Sequence, residues 1–180
     1  MSPIGALHDA PERALRSLFV GLSHRRSLGR LAVRLPITRA MVGRFVAGET
    51  LPEVLAALER LRDAGFLTTV DVLGESVSSA EACAAAAGRY EETLSALAER
   101  GLERNVSLKL TQMGLEISED VCRESVARVM QAAVAVGAFV RVDMEDHTKT
   151  DRTLGLWREL RSINPETGVV IQAALRRSAA

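Results

Sequence analysis

The 180-residue chain predicts an α/β fold: part of a (β/α)8 TIM-type barrel, about four βα units, behind an N-terminal helical arm. Three observations lead there. From residue 50 onward, helix-periodic segments alternate with short β-branched runs centred near Val70, Leu108, Val140 and Val170. Such spacing leaves room for a crossover helix between strands, which makes them parallel. The turn after the first strand, "LGESVSS", holds a single glycine. A dinucleotide-binding open sheet needs a glycine-rich turn there, so the barrel is favoured over the doubly wound alternative. Finally, polar residues gather where the apolar runs end, the edge at which parallel barrels carry their chemistry.

The elements follow one grammar. "TLPEVLAALERLRDAG" opens on a capping box, Thr50 with Glu53, and places Leu51, Val54, Leu55, Leu58 and Leu61 at helical spacing before Gly65 stops it. "FLTTVDVLG" (Phe66–Gly74) reads as a strand. "SSAEACAAAAGRYEETLSALAERG" is a helix with Ser78 and Glu81 as its box and Gly101 as its stop. "NVSLKLTQMG" is the second strand, and the next helix runs from a Ser118 cap to Gly137. Strand "AFVRVDMED" precedes a helix through Thr153, Leu156, Trp157 and Leu160, and "GVVIQAAL" (Gly168–Leu175) closes the series. Residues 1–46 form the arm and residues 47–180 the barrel portion.

Hydrophobic residues make up 47% and charged residues 26%, the balance of a globular protein rather than a disordered or fibrous one. Net charge is zero, which points to no particular macromolecular partner. The arm is basic, however, with Arg13, Arg16, Arg25, Arg26, Arg30, Arg34, Arg39 and Arg44 against Asp9 and Glu12. A solvated helix face explains it, and a contact with an anionic membrane surface is the alternative. Nucleic acid is not expected, because Tyr90 and Trp157 fall in helices and no stacking platform exists. Cys83 and Cys122 read as small core fillers in a reducing cytosol. No apolar run is long enough to span a bilayer. Met41, Met113 and Met130 read as core, and His8 and His24 carry no signal.

The strand exits hold the chemistry. Asp71 and Glu75 stand at the first, Lys109, Thr111 and Gln112 at the second, Asp143, Glu145 and Asp146 at the third, and Gln172 at the fourth. Lys109 lies between Leu108 and Leu110, where a lysine is rarely buried without a counter-charge. Alternation puts Ser107 and Lys109 on one face, and Arg141 and Asp143 on one face of the next strand. If both faces point inward, Lys109 and Asp143 share a cavity. The competing reading is an ion pair that merely fixes strand register. Gln172 could equally bond a loop backbone, and His147 lacks metal-ligand spacing and reads as a loop residue.

The segments "RFVAGETLPEVL", "VDVLGE", "SLKLTQMGL" and "RVDMED" resemble those of the monofunctional bacterial proline dehydrogenase family, in order, from about Pro11 to about Leu175. The resemblance implies a soluble FAD-containing barrel that oxidises L-proline to 1-pyrroline-5-carboxylate. It also implies electrons passed to a membrane quinone, hence a cytoplasmic protein that touches the membrane peripherally. It implies that Lys109 holds the substrate carboxylate, that Asp143 is the active-site aspartate, and that Met144 and Gln172 contact FAD. No metal is implied. Hydride chemistry belongs to such a cofactor, which agrees with the lack of a triad or metal cluster.

The family pattern continues with a fifth-strand arginine, a Thr-His segment and a pair of arginines in the last helix. Arg176 and Arg177 do not occupy the place of that pair. A complete barrel takes about 250 residues. The expectation is therefore an N-terminal half, truncated, with weak or absent FAD binding and no turnover by itself. The alternative is a non-catalytic half-barrel that self-associates through its exposed barrel edges.

Overall fold

Helix and strand alternate as the periodicity requires. The computed structural model describes residues 46–74 and 77–179, and one compact unit runs from Leu51 to Ala180. Residues 1–45, which hold nearly all of the expected arm with Met41, His8 and His24, lie outside the described residues, as does Glu75.

The order is α1 (Leu51–Asp63), β1 (Val70–Asp71), α2 (Ala80–Glu99), β2 (Asn105–Leu108), α3 (Glu119–Val136), β3 (Phe139–Val142), α4 (Thr150–Leu160) and β4 (Thr167–Val169). A short 3-10 turn, Arg176–Ala179, follows. The strands form one parallel sheet in the order β1-β2-β3-β4. This is an α/β fold with a four-stranded parallel sheet and four helices.

Helix starts and stops follow local chemistry. Ser118 Oγ accepts from Val121 N at 3.1 Å, and Gly137 ends α3 in the left-handed region at φ +63°. The α2 cap is Ser79, which accepts from Ala82 N at 3.2 Å, and not Ser78. Ser-Ser offers two adjacent hydroxyls, and only the extended residue directly before the first helical turn can reach its N–H groups.

The ladders are shorter than the apolar runs. Phe66 was expected to start β1, yet its N–H bonds Leu61 O at 2.9 Å while Gly65 N bonds Arg62 O at 2.8 Å. That six-to-one, five-to-two pattern is a helix cap, so Phe66 finishes α1 rather than opening a strand. β2 stops at Leu108, because Met113 and Leu115 both donate to Leu110 O and fold the chain back. Lys109 therefore stands one residue past the ladder, not inside it. Asp143 N still bonds Leu108 O at 2.9 Å and Val170 N bonds Val142 O at 2.9 Å. Gln172 falls in the turn beyond β4 rather than in a strand.

One sheet face, through Val70, Val106, Leu108, Val140 and Val142, joins a single core with helix residues such as Leu55, Leu94, Leu97, Val129, Met130 and Leu160. Met113 and Met130 are buried in it, as expected. Helices α2 and α3 are tied by Arg128, which donates to both Glu91 oxygens at 2.9 and 2.8 Å. Register aligns Asp71, Ser107, Arg141 and Gly168 in one row across the other face. Two residues further along, just past the ends of β2 and β3, Lys109 and Asp143 stand side by side.

Both cysteines are buried and unpaired. Burial pushes the Cys122 thiol from 9.0 up to about 12 and raises Cys83 too. With native values raised, the unfolded chain releases its protons first, so stability is intact below pH 9.0 and declines as pH climbs toward about 12. Tyr90 and Lys109, also raised, join the loss only above 10.0 and 10.5. The urea midpoint, followed by Trp157 fluorescence, should thus hold between about pH 7 and 9 and fall beyond. In a Cys83→Ala/Cys122→Ala chain the fall should begin about one pH unit later. An unchanged onset in that variant would remove the thiols from the account.

Candidate active site

An open hollow of about 600 Å³ lies at the C-terminal end of the sheet, lined by Lys109, Asp143, Met144, Glu145, Asp146, Lys149 and Val170. At its base Lys109 Nζ sits 2.9 Å from Asp71 Oδ2 and 3.5 Å from Asp143 Oδ2. One ammonium is thus shared by two carboxylates from the strands on either side of its own. The Lys109 side chain is 25% exposed, so water reaches it. Burial works against its charge, but the bond to Asp71 and the charges of Asp71 and Asp143 outweigh that and raise its pKa. It is a cation at any physiological pH.

The two carboxylates are held differently. Asp143 Oδ1 takes a short hydrogen bond from Ser107 Oγ, a neighbour fixed by the β2–β3 register. Asp71 Oδ1 has Tyr90 Oη at 3.4 Å, a distance too long for a strong bond. Tyr90 sends its proton to Ser107 O at 2.7 Å instead. That ring is fully buried under the sheet, and burial first, then the charge of Asp71, pushes its pKa far up. Tyr90→Phe removes the hydroxyl that satisfies the Ser107 carbonyl. A cost of about 1 to 2 kcal/mol is expected from urea unfolding. No change in the midpoint would mean that water takes over the carbonyl without loss.

The loop after β3 is clamped from both flanks. On the β2 side, Thr111 donates to Glu145 through N, at 3.0 Å, and through Oγ1. On the β4 side, Gln172 Nε2 donates to Met144 O at 3.1 Å and Glu145 O at 2.9 Å. Two carbonyl acceptors identify that end of the amide as nitrogen. Further out, Lys149 pairs with Asp146 and, at 3.3 Å, with Glu116. The Lys149 bond, helped by Thr148, holds Asp146 well below the usual carboxylate range.

Of the residues singled out from sequence, Lys109, Asp143 and Met144 line the hollow, and Gln172 braces its loop from behind. His147 is an exposed turn residue. Among the described residues no group of histidines, cysteines and acids is placed to hold a metal, and no helix is long and apolar enough to cross a membrane. Sequence reasoning missed Asp71 as the nearer partner of Lys109, and it missed Tyr90 and Lys149. Tyr90 carried a signal: with Cys83, Ala86, Ala87, Leu94 and Leu97 it completes one helical stripe, a polar tip on an otherwise apolar face.

Charges converging at the carboxyl ends of a parallel α/β sheet stand where proteins of this class carry their small-molecule sites. A family model described as proline dehydrogenase matches residues 54–180. Proline dehydrogenase 1 of Bacillus subtilis (strain 168) is 33% identical over 165 residues, which cover 92% of this chain and 54% of that protein. The proline dehydrogenase of Deinococcus radiodurans is 34% identical over 140 residues, covering 75% of this chain and 45% of the relative. A crystal structure of proline utilization A (PutA) from Bdellovibrio bacteriovorus, inactivated by N-propargylglycine, matches with a TM-score of 0.70 at 25% identity. That match covers 84% of this chain and 19% of PutA. The chain belongs to the proline dehydrogenase family. It spans about half the length of the curated relatives it matches (54% for the first).

Proposed function

We propose that the chain forms the substrate-carboxylate wall of a proline dehydrogenase, an FAD-dependent oxidoreductase that converts L-proline to 1-pyrroline-5-carboxylate. In this reading the sheet is the first half of a (β/α)8 barrel. The carrying observation is the Lys109 ammonium, protonated and water-accessible, at the floor of a hollow at the strand ends. Lys109 binds the substrate carboxylate, where partial burial strengthens a charge-assisted bond. Asp143, fixed by Ser107, keeps that ammonium oriented. Quinone is the electron acceptor in this reading, which places the protein in the cytoplasm with a peripheral contact at the membrane.

The wall suits a flavin ring better than the whole dinucleotide. Met144 and Val170 offer apolar surface beside backbone polar groups. Both lysines of the hollow are held by carboxylates, so positive charge for a diphosphate comes from outside this wall. Met144 would lie against the ring. Gln172, whose Nε2 is committed to the loop, would present its Oε1 or its flank. When bound, the flavin supplies the hydride acceptor.

The test is a chimera: residues 51–180 joined to the portion of Bacillus subtilis proline dehydrogenase 1 beyond the matched segment. L-proline should drive dye reduction by the flavin-loaded chimera, and Lys109→Met should silence it. A folded, flavin-loaded chimera that ignores L-proline would overturn the proposal.

A further inference from the structure

The charges around Lys109 do not add up to a waiting cation. One ammonium faces two carboxylates, so Asp71, Lys109 and Asp143 together carry a net negative charge. An incoming carboxylate meets repulsion unless one resident acid yields its place. The two acids differ in how firmly they are held. Asp143 is anchored through its other oxygen by Ser107 Oγ, and its backbone N–H is bonded to Leu108 O at 2.9 Å. Among the described residues Asp71 ends a two-residue strand at the edge of the sheet, and its other oxygen has only the long 3.4 Å approach of Tyr90, whose proton goes elsewhere. Yet Asp71 makes the shorter contact to Lys109, 2.9 Å against 3.5 Å. The acid with the closest grip on the ammonium is the one with the least to keep it there.

We propose that Asp71 is an exchangeable counter-ion for Lys109: it occupies the ammonium when no carboxylate ligand is present and is displaced when one binds. Resting on the proline reading above, this makes Asp71 a specificity-determining residue that sets the threshold for anionic ligands. An amine without a carboxylate gains nothing by displacing it. Asp71 also keeps the hollow closed to weakly coordinating anions, which cannot compete with a resident carboxylate at hydrogen-bond distance.

The experiment compares the wild-type chain, Asp71→Asn and the Asp71→Asn/Lys109→Met double variant, titrated with L-proline and with pyrrolidine, the same ring lacking a carboxylate. Asp71→Asn should bind L-proline about tenfold more tightly, since one like charge is gone. Pyrrolidine should not gain, and the improvement should vanish in the double variant. Equal or weaker L-proline binding by Asp71→Asn overturns the proposal, as does a gain that survives without Lys109. Acetate, followed through the 15N signal of the Lys109 ammonium, keeps the counter-ion claim separate from the proline reading. If L-proline binds no variant but acetate saturates Asp71→Asn at about a tenth of the wild-type concentration, the proline reading fails and the exchange stands. If acetate midpoints are equal, or acetate moves the signal in neither protein, the exchange is wrong.

Discussion

Lys109→Met weakens L-proline binding by at least about 100-fold. Methionine preserves the length and apolar stem of the side chain, so the change isolates the charge. In the native hollow an arriving carboxylate finds one ammonium among two acids; in the variant it finds Asp71 and Asp143 alone. The one group that can pair with the ligand is gone and only like charges are left, and losing the partner of a partly desolvated charge costs about 2 to 5 kcal/mol of affinity. The effect on folding should be far smaller, below about 1 kcal/mol, because the ion pairs are a quarter to a third exposed and water screens them. Calorimetric titration and urea unfolding on the same samples separate the two quantities. Affinity within about threefold of wild type would show that the substrate carboxylate is held by something else.

Gly114→Ala destabilises the protein by about 3 kcal/mol or more. Gly114 sits in the turn after β2 at φ +101°, which side-chain-bearing residues rarely adopt. An added Cβ would also meet Val121 Cγ1 at 2.8 Å and Cys83 Sγ at 2.9 Å, both short of normal contact. Cys83 is fully buried, so it has little room to move away. Backbone strain and overpacking act together here, each worth about 1 to 3 kcal/mol. The same turn carries Thr111, which grips Glu145, so the variant should also lose order in the loop after β3. Amide exchange at Thr111 and Met144 would register that. A midpoint within about 0.5 kcal/mol of wild type would show that the turn can rebuild itself.

The alternation of helix and strand was legible because each element is written locally, in periodicity and caps such as Ser118 and Gly137. So was the meeting of Lys109 and Asp143, since a two-residue period fixes which face each side chain takes once register is known. Strand length was not legible. A β-branched run names residues that tolerate a strand, whereas the ladder ends where partners end, and Phe66 was drawn into the cap of α1. Nor did spacing identify Asp71 as the nearer partner of Lys109. Both neighbours of β2 offer an acid near its end, Asp71 level with Ser107 and Asp143 level with Lys109, and choosing between them takes side-chain geometry. Gln172 shows the converse: its type and position were plain, but its two bonds to the loop after β3 are tertiary.

The row that runs Asp71, Ser107, Arg141, Gly168 gives the chain an uneven tolerance to changes in length. Extra residues beyond the strand ends would lengthen connections and leave the alignment untouched. Dropping a single residue within β2 ahead of Ser107 would turn the rest of the strand over, sending Lys109 among the leucines and bringing Leu108 to face the acids. Changes of length are therefore absorbed beyond the strand ends, on the ligand side of the sheet, and not within the strands.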